Sequence, residues 1–273
     1  MKLTILVDNV TYTPELQAED GYSAYIEDGD CKILLDTGGT DLFMRNAAIL
    51  GIDLLQTDYI VLSHGHHDHV WGLKHLLNKY QGHPQFKPQL ITHPWTIMRK
   101  TVEGRGDIGF DLPLAQLASL NTNFSREPIW LTDRLVYLGE TKRIHDFEGN
   151  YAIGEVHLPE GKQADYIYDD TSMAYKAQGG LVIITGCAHS GIGNIIEQAK
   201  RICKEERILC VIGGTHMRRP SHELLAATID YLDKQNIDKL YCCHCTDMPS
   251  RIAMGRKLDN LVQGMVGTVL EIE

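Results

Sequence analysis

The sequence of 273 residues predicts an α/β fold in which two sheets lie face to face with helices outside them. Short, β-rich apolar runs alternate with helical patterns, the alternation occurs in two halves, and each half opens with strands that read as antiparallel. In the first half the runs are Leu3–Val7, Ser23–Glu27, Lys32–Leu35 and Tyr59–Leu62, and Glu27-Asp28-Gly29-Asp30 reads as a hairpin turn. A helical pattern follows from about Asp41 to Leu50, with Gly51 as its terminator, and another runs from about Leu73 to Tyr80. In the second half strands are expected at Leu135–Leu138, Met173–Ala177, Leu181–Thr185, Ile208–Ile212 and Lys239–Cys242. Helices are expected near Ile195–Lys204, His222–Gln235 and Ser250–Leu261. Between the halves, Gln81 to about Arg134 is rich in Gly and Pro with little clean periodicity. It reads as an insertion forming a lid or binding loop within one domain spanning residues 1–273.

Composition bounds the function. With 43% hydrophobic and 23% charged residues the chain is globular rather than disordered. Its net charge of −10 argues against nucleic acid as a partner. The N-terminal apolar run is broken by Asp8, and no window approaches the ~18 apolar residues of a membrane span, so a cytoplasmic protein with no membrane partner is expected. Seven cysteines, an odd number without an export signal, point to thiols rather than a disulfide framework.

The sharpest chemical signal is Ser63-His64-Gly65-His66-His67-Asp68-His69, directly after the run Tyr59–Leu62. In an extended segment His64 and His66 point the same way and can grip one cation, while His67 points away. Asp68 and His69, displaced along the chain as it turns toward the next helix, suit a second cation. Four groups cannot close two sites, so further ligands are needed. Functional groups in open α/β sheets gather at the carboxyl ends of strands. Four further strand-like runs end in such residues: at Asp36, at Cys187 and His189, at His216 beyond Gly213-Gly214, and at His244.

These segments, LLDTG at Leu34–Gly38, SHGHHDH at Ser63–His69, TGCAHSGIGN at Thr185–Asn194, GGTH at Gly213–His216 and CHCT at Cys243–Thr246, resemble the metallo-β-lactamase superfamily. Within it they are similar to the branch named for the archaeal dihydropterin-methyl ribofuranosylaminobenzene phosphate synthase. The resemblance implies a four-layer αββα sandwich with a metal site, usually dinuclear, at one edge of the sheets. It puts His64, His66 and His189 on the first metal, Asp68, His69 and His244 on the second, and Asp36 behind a ligand histidine as its orienting carboxylate. Two divalent cations are implied, zinc foremost, with manganese, iron or magnesium as alternatives. Many members carry a bridging Asp where this chain has Cys187 after Gly186. The thiol is then a softer ligand, or Asp170 supplies the bridge, or there is none. Asp247, standing where Gly is expected after CHCT, adds a carboxylate near the second metal.

Other residues carry less. Cys242-Cys243-His244-Cys245 has no second cysteine pair to complete a zinc knuckle, and as a strand it would put Cys242 and His244 on one face. His157 is a weaker rival to His189, and His93 is a lesser candidate for facing the cavity. His75, His83, His145 and His222 read as surface residues. Arg99, Lys100 and Arg105 could clamp a phosphate or carboxylate, but a solvated charge run is the default. The paired glycines lack the spacing of a dinucleotide fingerprint.

The chemistry this favours is metal-dependent hydrolysis of a small ester, lactone, thioester or phosphoester, because a metal pair lowers the pKa of a shared water toward ~7. Asp68 would hold a proton and His216 would hydrogen-bond the transition state. A pterin-precursor condensing transferase is the alternative, and a non-catalytic metal or redox sensor using Cys187 with Cys243 or Cys245 is a third reading. A small molecule is the expected partner, in a chain that could form a homo-oligomer.

Overall fold

The structure is a computed structural model that describes residues 1–118 and 120–273. Its first half runs β1 (Lys2–Val7), β2 (Ser23–Asp28), β3 (Cys31–Leu35), α1 (Leu42–Ile49), β4 (Tyr59–Val61), α2 (His67–Val70), α3 (Leu73–Lys79) and β5 (Gln89–Thr92). There follow β6 (Arg99–Val102), β7 (Gly106–Asp107), α4 (Leu114–Leu117), β8 (Asn121–Phe124), β9 (Ile129–Trp130), β10 (Leu135–Tyr137), β11 (Glu155–Leu158) and β12 (Gly161–Ala164). The chain ends with β13 (Ser172–Ala177), β14 (Gly180–Thr185), α5 (Ile192–Cys203), β15 (Ile208–Gly214), α6 (His222–Lys234), β16 (Lys239–Cys243), α7 (Met248–Gly255), β17 (Leu261–Gln263) and β18 (Val269–Glu271).

Two seven-stranded sheets form, in the orders β18-β1-β2-β3-β4-β5-β8 and β17-β16-β15-β14-β13-β10-β9. In each, an antiparallel stretch (β1-β2-β3, β10-β13-β14) leads into parallel pairs (β3-β4-β5-β8, β14-β15-β16-β17). Strand alternation sorts the side chains into layers. Ile33 and Leu35 meet Val182 and Ile184 in the core between the sheets. Leu34 faces outward with Phe43 of α1 and Leu73 of α3, and Leu181 and Ile183 face outward with Ile195 and Ile196 of α5. Three buried apolar layers separate four layers of structure, the αββα sandwich expected. Each of these fully buried aliphatic side chains contributes roughly 1.5–3 kcal/mol.

Three parts of the sequence reading change. The helix expected near Ser250–Leu261 ends at Gly255, and Leu261 instead opens β17, parallel to β16. The C-terminal β18 closes the edge of the first sheet beside β1. The stretch from Gln81 to Arg134 is partly framework: β5 and β8 extend the first sheet, while β6 and β7 join β11 and β12 in a separate four-stranded sheet, order β12-β11-β6-β7. Residues near its centre pack against the Ser63–His69 loop, where the His67 amide donates to the Ile108 carbonyl at 2.9 Å. No helix among the described residues is long and apolar enough to cross a membrane.

Candidate metal centre

The parallel strands β3, β4, β14, β15 and β16 deliver their carboxyl ends to one rim. At four of these ends a non-glycine residue takes a left-handed conformation: Asp36 (φ 54°), Ala188 (φ 61°), His216 (φ 50°) and His244 (φ 39°). Such backbone costs roughly 1–2 kcal/mol per residue and clusters at functional sites. The turn at His244 also corrects its placement, because β16 stops at Cys243 and His244 leaves the strand instead of sharing a face with Cys242.

After β4 the chain bends at Ser63 and Gly65, is extended at His66 (φ −78°, ψ 145°) and becomes helical at His67. His64 Nε2 therefore lies 3.0 Å from His66 Nδ1, and His189 Nε2, arriving from the other sheet, lies 3.2 Å from His64 Nε2. His67 points away, its side chain 46% exposed and packed on Trp71. On α2, Asp68 Oδ2 lies 3.3 Å from His244 Nε2, and the His69 and His244 rings are 5.0 Å apart. Three groups result, each with ligand atoms within 4.8 Å of one another: His64, His66 and His189; Asp68, His69 and His244; and, between them, His64, His69 and Cys187. Cys187 Sγ sits 3.2 Å from His69 Nε2.

A second layer fixes the rings. Asp36, fully buried, accepts from His69 Nδ1 at 2.7 Å and from the Ser63 hydroxyl at 2.6 Å through Oδ2, and from the Ser63 amide at 2.7 Å through Oδ1. With its proton committed to Asp36, Ser63 Oγ accepts from His64 Nδ1 at 3.0 Å, which leaves the lone pair of His64 on Nε2, toward the other imidazoles. Gly186 makes the close approach of the sheets feasible, since a Cβ there would lie 2.1 Å from Ser63 Oγ.

The donors suit divalent cations. Burial holds His64 and His189 well below the ordinary histidine range and brings His66 down to about 3, so all three are neutral with lone pairs available. Converging lone pairs on His64 Nε2, His66 Nδ1 and His189 Nε2 repel unless a cation lies among them, and the remaining nitrogens of the latter two rings, His66 Nε2 and His189 Nδ1, have no hydrogen-bond partner among the described residues. In the second group burial alone would lower His244, but its bond to Asp68, with the neighbouring Cys245 and Asp20, raises it to about 9. Burial likewise works against ionised Asp68, yet the His244 bond and the nearby His69 hold its carboxyl well below the usual range. The first group thus offers three neutral imidazoles, and at the second a cation would take the place of the proton on His244 beside the ionised Asp68, a donor set appropriate to zinc or a similar ion.

The fold and this rim define a class, and sequence comparison gives it a name. A family model described as the metallo-beta-lactamase superfamily matches residues 17–149. The chain belongs to that superfamily. It is 30% identical to the protein MJ0448 of Methanocaldococcus jannaschii over 99% of this chain and 100% of that one. It is 29% identical to the 7,8-dihydropterin-6-methyl-4-(beta-D-ribofuranosyl)-aminobenzene-5'-phosphate synthase of the same organism, over 89% of this chain and 86% of that one. Among solved structures, Tm1679, described as a metal-dependent hydrolase of the beta-lactamase superfamily, superposes with a TM-score of 0.86 at 26% identity, covering 100% and 99% of the two chains.

Other expected residues lie elsewhere. Asp170 is outside the three groups: its Oδ2 accepts from the Ser190 amide at 2.9 Å and hydroxyl at 2.5 Å. His216 is outside them too, but its ring lies 4.1 Å from that of His189, and Nδ1 is hydrogen-bonded to the Tyr151 hydroxyl. His157 Nε2 pairs with Thr101 Oγ1 at 2.9 Å, and His93 is buried on Glu140. Asp247 is a helix cap rather than a carboxylate of the second group. Its Oδ1 accepts from the Ser250 amide at the start of α7, and its Oδ2 from the Arg219 amide. His145, read as a surface residue, packs edge-on against Tyr231 with ring centroids 5.0 Å apart and is half-buried. Lys100 is the clearest correction: it is fully buried, with Nζ 2.7 Å from Asp165 and 2.8 Å from Asp169, rather than part of a solvated charge run. A faint signal existed, since Lys100 alternates with exposed Arg99 along a strand, but its partners are more than sixty residues away in sequence.

Proposed function

We propose that this protein is a metal-dependent hydrolase acting on a small-molecule ester, lactone, thioester or phosphoester, with His64, His66 and His189 holding one divalent cation and Asp68, His69 and His244 a second. The observation that carries the reading is the meeting of these two ligand groups, drawn from both sheets, on one rim. Cations held there supply Lewis acidity and lower the pKa of bound water, so that a nucleophile is available at neutral pH.

The chain's own groups prepare that chemistry. Asp36 keeps the His69 proton on Nδ1 and leaves Nε2 free to ligate, and Ser63 does the same for His64. Asp68 stays ionised, so it can ligate a cation and accept a hydrogen bond from a water held there. Burial lowers His216 to about 4, so its imidazole is neutral at working pH. With Tyr151 donating to Nδ1, its Nε2–H can donate to charge developing on a substrate oxygen.

The test is a panel of p-nitrophenyl phosphodiesters, lactones and thioesters assayed on protein loaded separately with zinc, manganese, iron and magnesium. Metal-dependent turnover in one class supports the proposal; inactivity on every class with every metal overturns it. The 29% identity to the dihydropterin synthase favours a second reading, a condensing transferase on a pterin precursor. Turnover of a pterin pyrophosphate with no hydrolysis of the panel would select it.

A further inference from the structure

Both loops that carry the first ligand group are tied to one short segment, Asp169-Asp170-Thr171. Asp169 Oδ2 accepts from the amide of Gly65, the residue between His64 and His66, at 2.7 Å. Asp170 Oδ2 accepts from the amide and hydroxyl of Ser190, directly after His189. The Thr171 amide donates to the Ser63 carbonyl at 2.9 Å. Asp169 and Asp170 are both buried, and Asp169 Oδ1 bonds Lys100 Nζ, which Asp165 also holds. Lys100 projects from β6 of the four-stranded sheet, whose strand β7 is followed by Ile108, the acceptor for the His67 amide. The sheet thus braces the histidine loop from behind.

The second ligand group has its own partners, sharing with the first only Asp36, which also reaches His64 through Ser63. Asp36 holds His69, while Asp8 accepts the His244 amide at 2.6 Å and Asn9 Oδ1 meets His244 Nδ1 at 2.6 Å. Among the described residues no hydrogen bond joins Asp169 or Asp170 to Asp68, His69 or His244.

We propose that Asp169 and Asp170, with Lys100 as counter-ion, are positioning residues specific to the first metal site, setting the spacing of His64 and His66 against His189 independently of the second site. The inference rests on the metal-binding reading of the preceding subsection. Supporting partners behind ligands are typically worth 10–100-fold in metal affinity, and here one dipeptide anchors Gly65 and Ser190, the residues adjoining all three ligands of a site. Because Asp165 touches Lys100 and the Ile167 amide but neither ligand loop, it separates positioning from mere stability.

The experiment is a zinc titration of the metal-stripped full-length protein against a chromophoric chelator, with thermal unfolding measured in parallel. Wild type should show two binding steps, and His66→Ala and His244→Ala identify the step belonging to each site. Asp169→Asn and Asp170→Asn should weaken the first-site step by about 10–100-fold and move the second by less than about threefold. Asp165→Asn should lower the unfolding temperature while leaving the ratio of the two affinities within about threefold. Ser190→Ala, which removes one donor to Asp170 and keeps a small side chain, should shift the first step in the same direction, so the inference stays testable if an aspartate variant fails to fold. Equal weakening of both steps, or an Asp165→Asn ratio as altered as that of Asp169→Asn, overturns the proposal. Absence of any zinc step in wild type would overturn the metal-binding reading itself.

Discussion

Asp36 Oδ2 lies 2.7 Å from His69 Nδ1, with both side chains fully buried, so a carboxylate at the end of β3 fixes the ring that α2 presents to the rim. Replacing it with Asn keeps the shape but weakens the acceptor behind the ring. Asp36→Asn should therefore weaken the second-site zinc step by about 10–100-fold, read by the same chelator competition. An affinity within about twofold of wild type would show that His69 needs no such orientation.

Adjacent histidines should behave oppositely. His66→Ala removes a donor from the buried triad and is expected to lose one metal per chain together with activity. His67→Ala, on an exposed ring packed on Trp71, should leave metal content by elemental analysis and turnover within about threefold. Equal loss from both would mean that the loop presents its faces the other way.

Gly65 should tolerate no side chain. A Cβ at this position would lie 2.3 Å from the Thr96 carbonyl oxygen, which is backbone, and 3.0 Å from Lys100 Cε. Gly65→Ala should destabilise the protein by about 1–3 kcal/mol through overpacking and displace His64 from His66. Denaturant unfolding gives the first effect and loss of the first zinc step the second.

Stability should fall with rising pH because of Glu148. Burial raises this carboxyl from 4.5 to about 7, despite the Asn194 and Gly193 amides at the start of α5 that favour its charged form. A folded-state pKa above the unfolded value means that the folded protein holds the proton more tightly. The contribution is complete below about pH 4.5 and is lost as pH rises to about 7. At 1.36 kcal/mol per unit this amounts to about 3 kcal/mol. Urea midpoints between pH 4.5 and 8 should drop across that window for wild type, and Glu148→Gln should flatten this part of the profile.

The rim was legible because its residues obey local rules. Alternation placed His64 and His66 together and turned His67 out, and the strand-end rule gathered Asp36, His189 and His244 from distant segments. What failed depended on contacts that local pattern does not encode. Lys100 reads as charged and hence exposed until Asp165 and Asp169 come from the far side of the chain. Asp170, offered as a bridge, stands outside the three ligand groups with Oδ2 held by Ser190, while its buried Oδ1 has no hydrogen-bond partner among the described residues. The four-stranded sheet escaped notice because β7 has two residues and β12 is polar and exposed throughout, so neither carries an apolar period. Asp247 could have been read as a cap, since Pro249 two residues later sits in the first turn of a helix.

Ala188 contributes no ligand, yet it sits between Cys187 and His189 in a backbone shape that favours glycine. A selection for heat resistance alone should therefore enrich Ala188→Gly, trading the stiffness of the loop for relief of its torsion. Toughness and catalytic fitness would then pull this one position in opposite directions, and a variant chosen for the first should be slower at the bench.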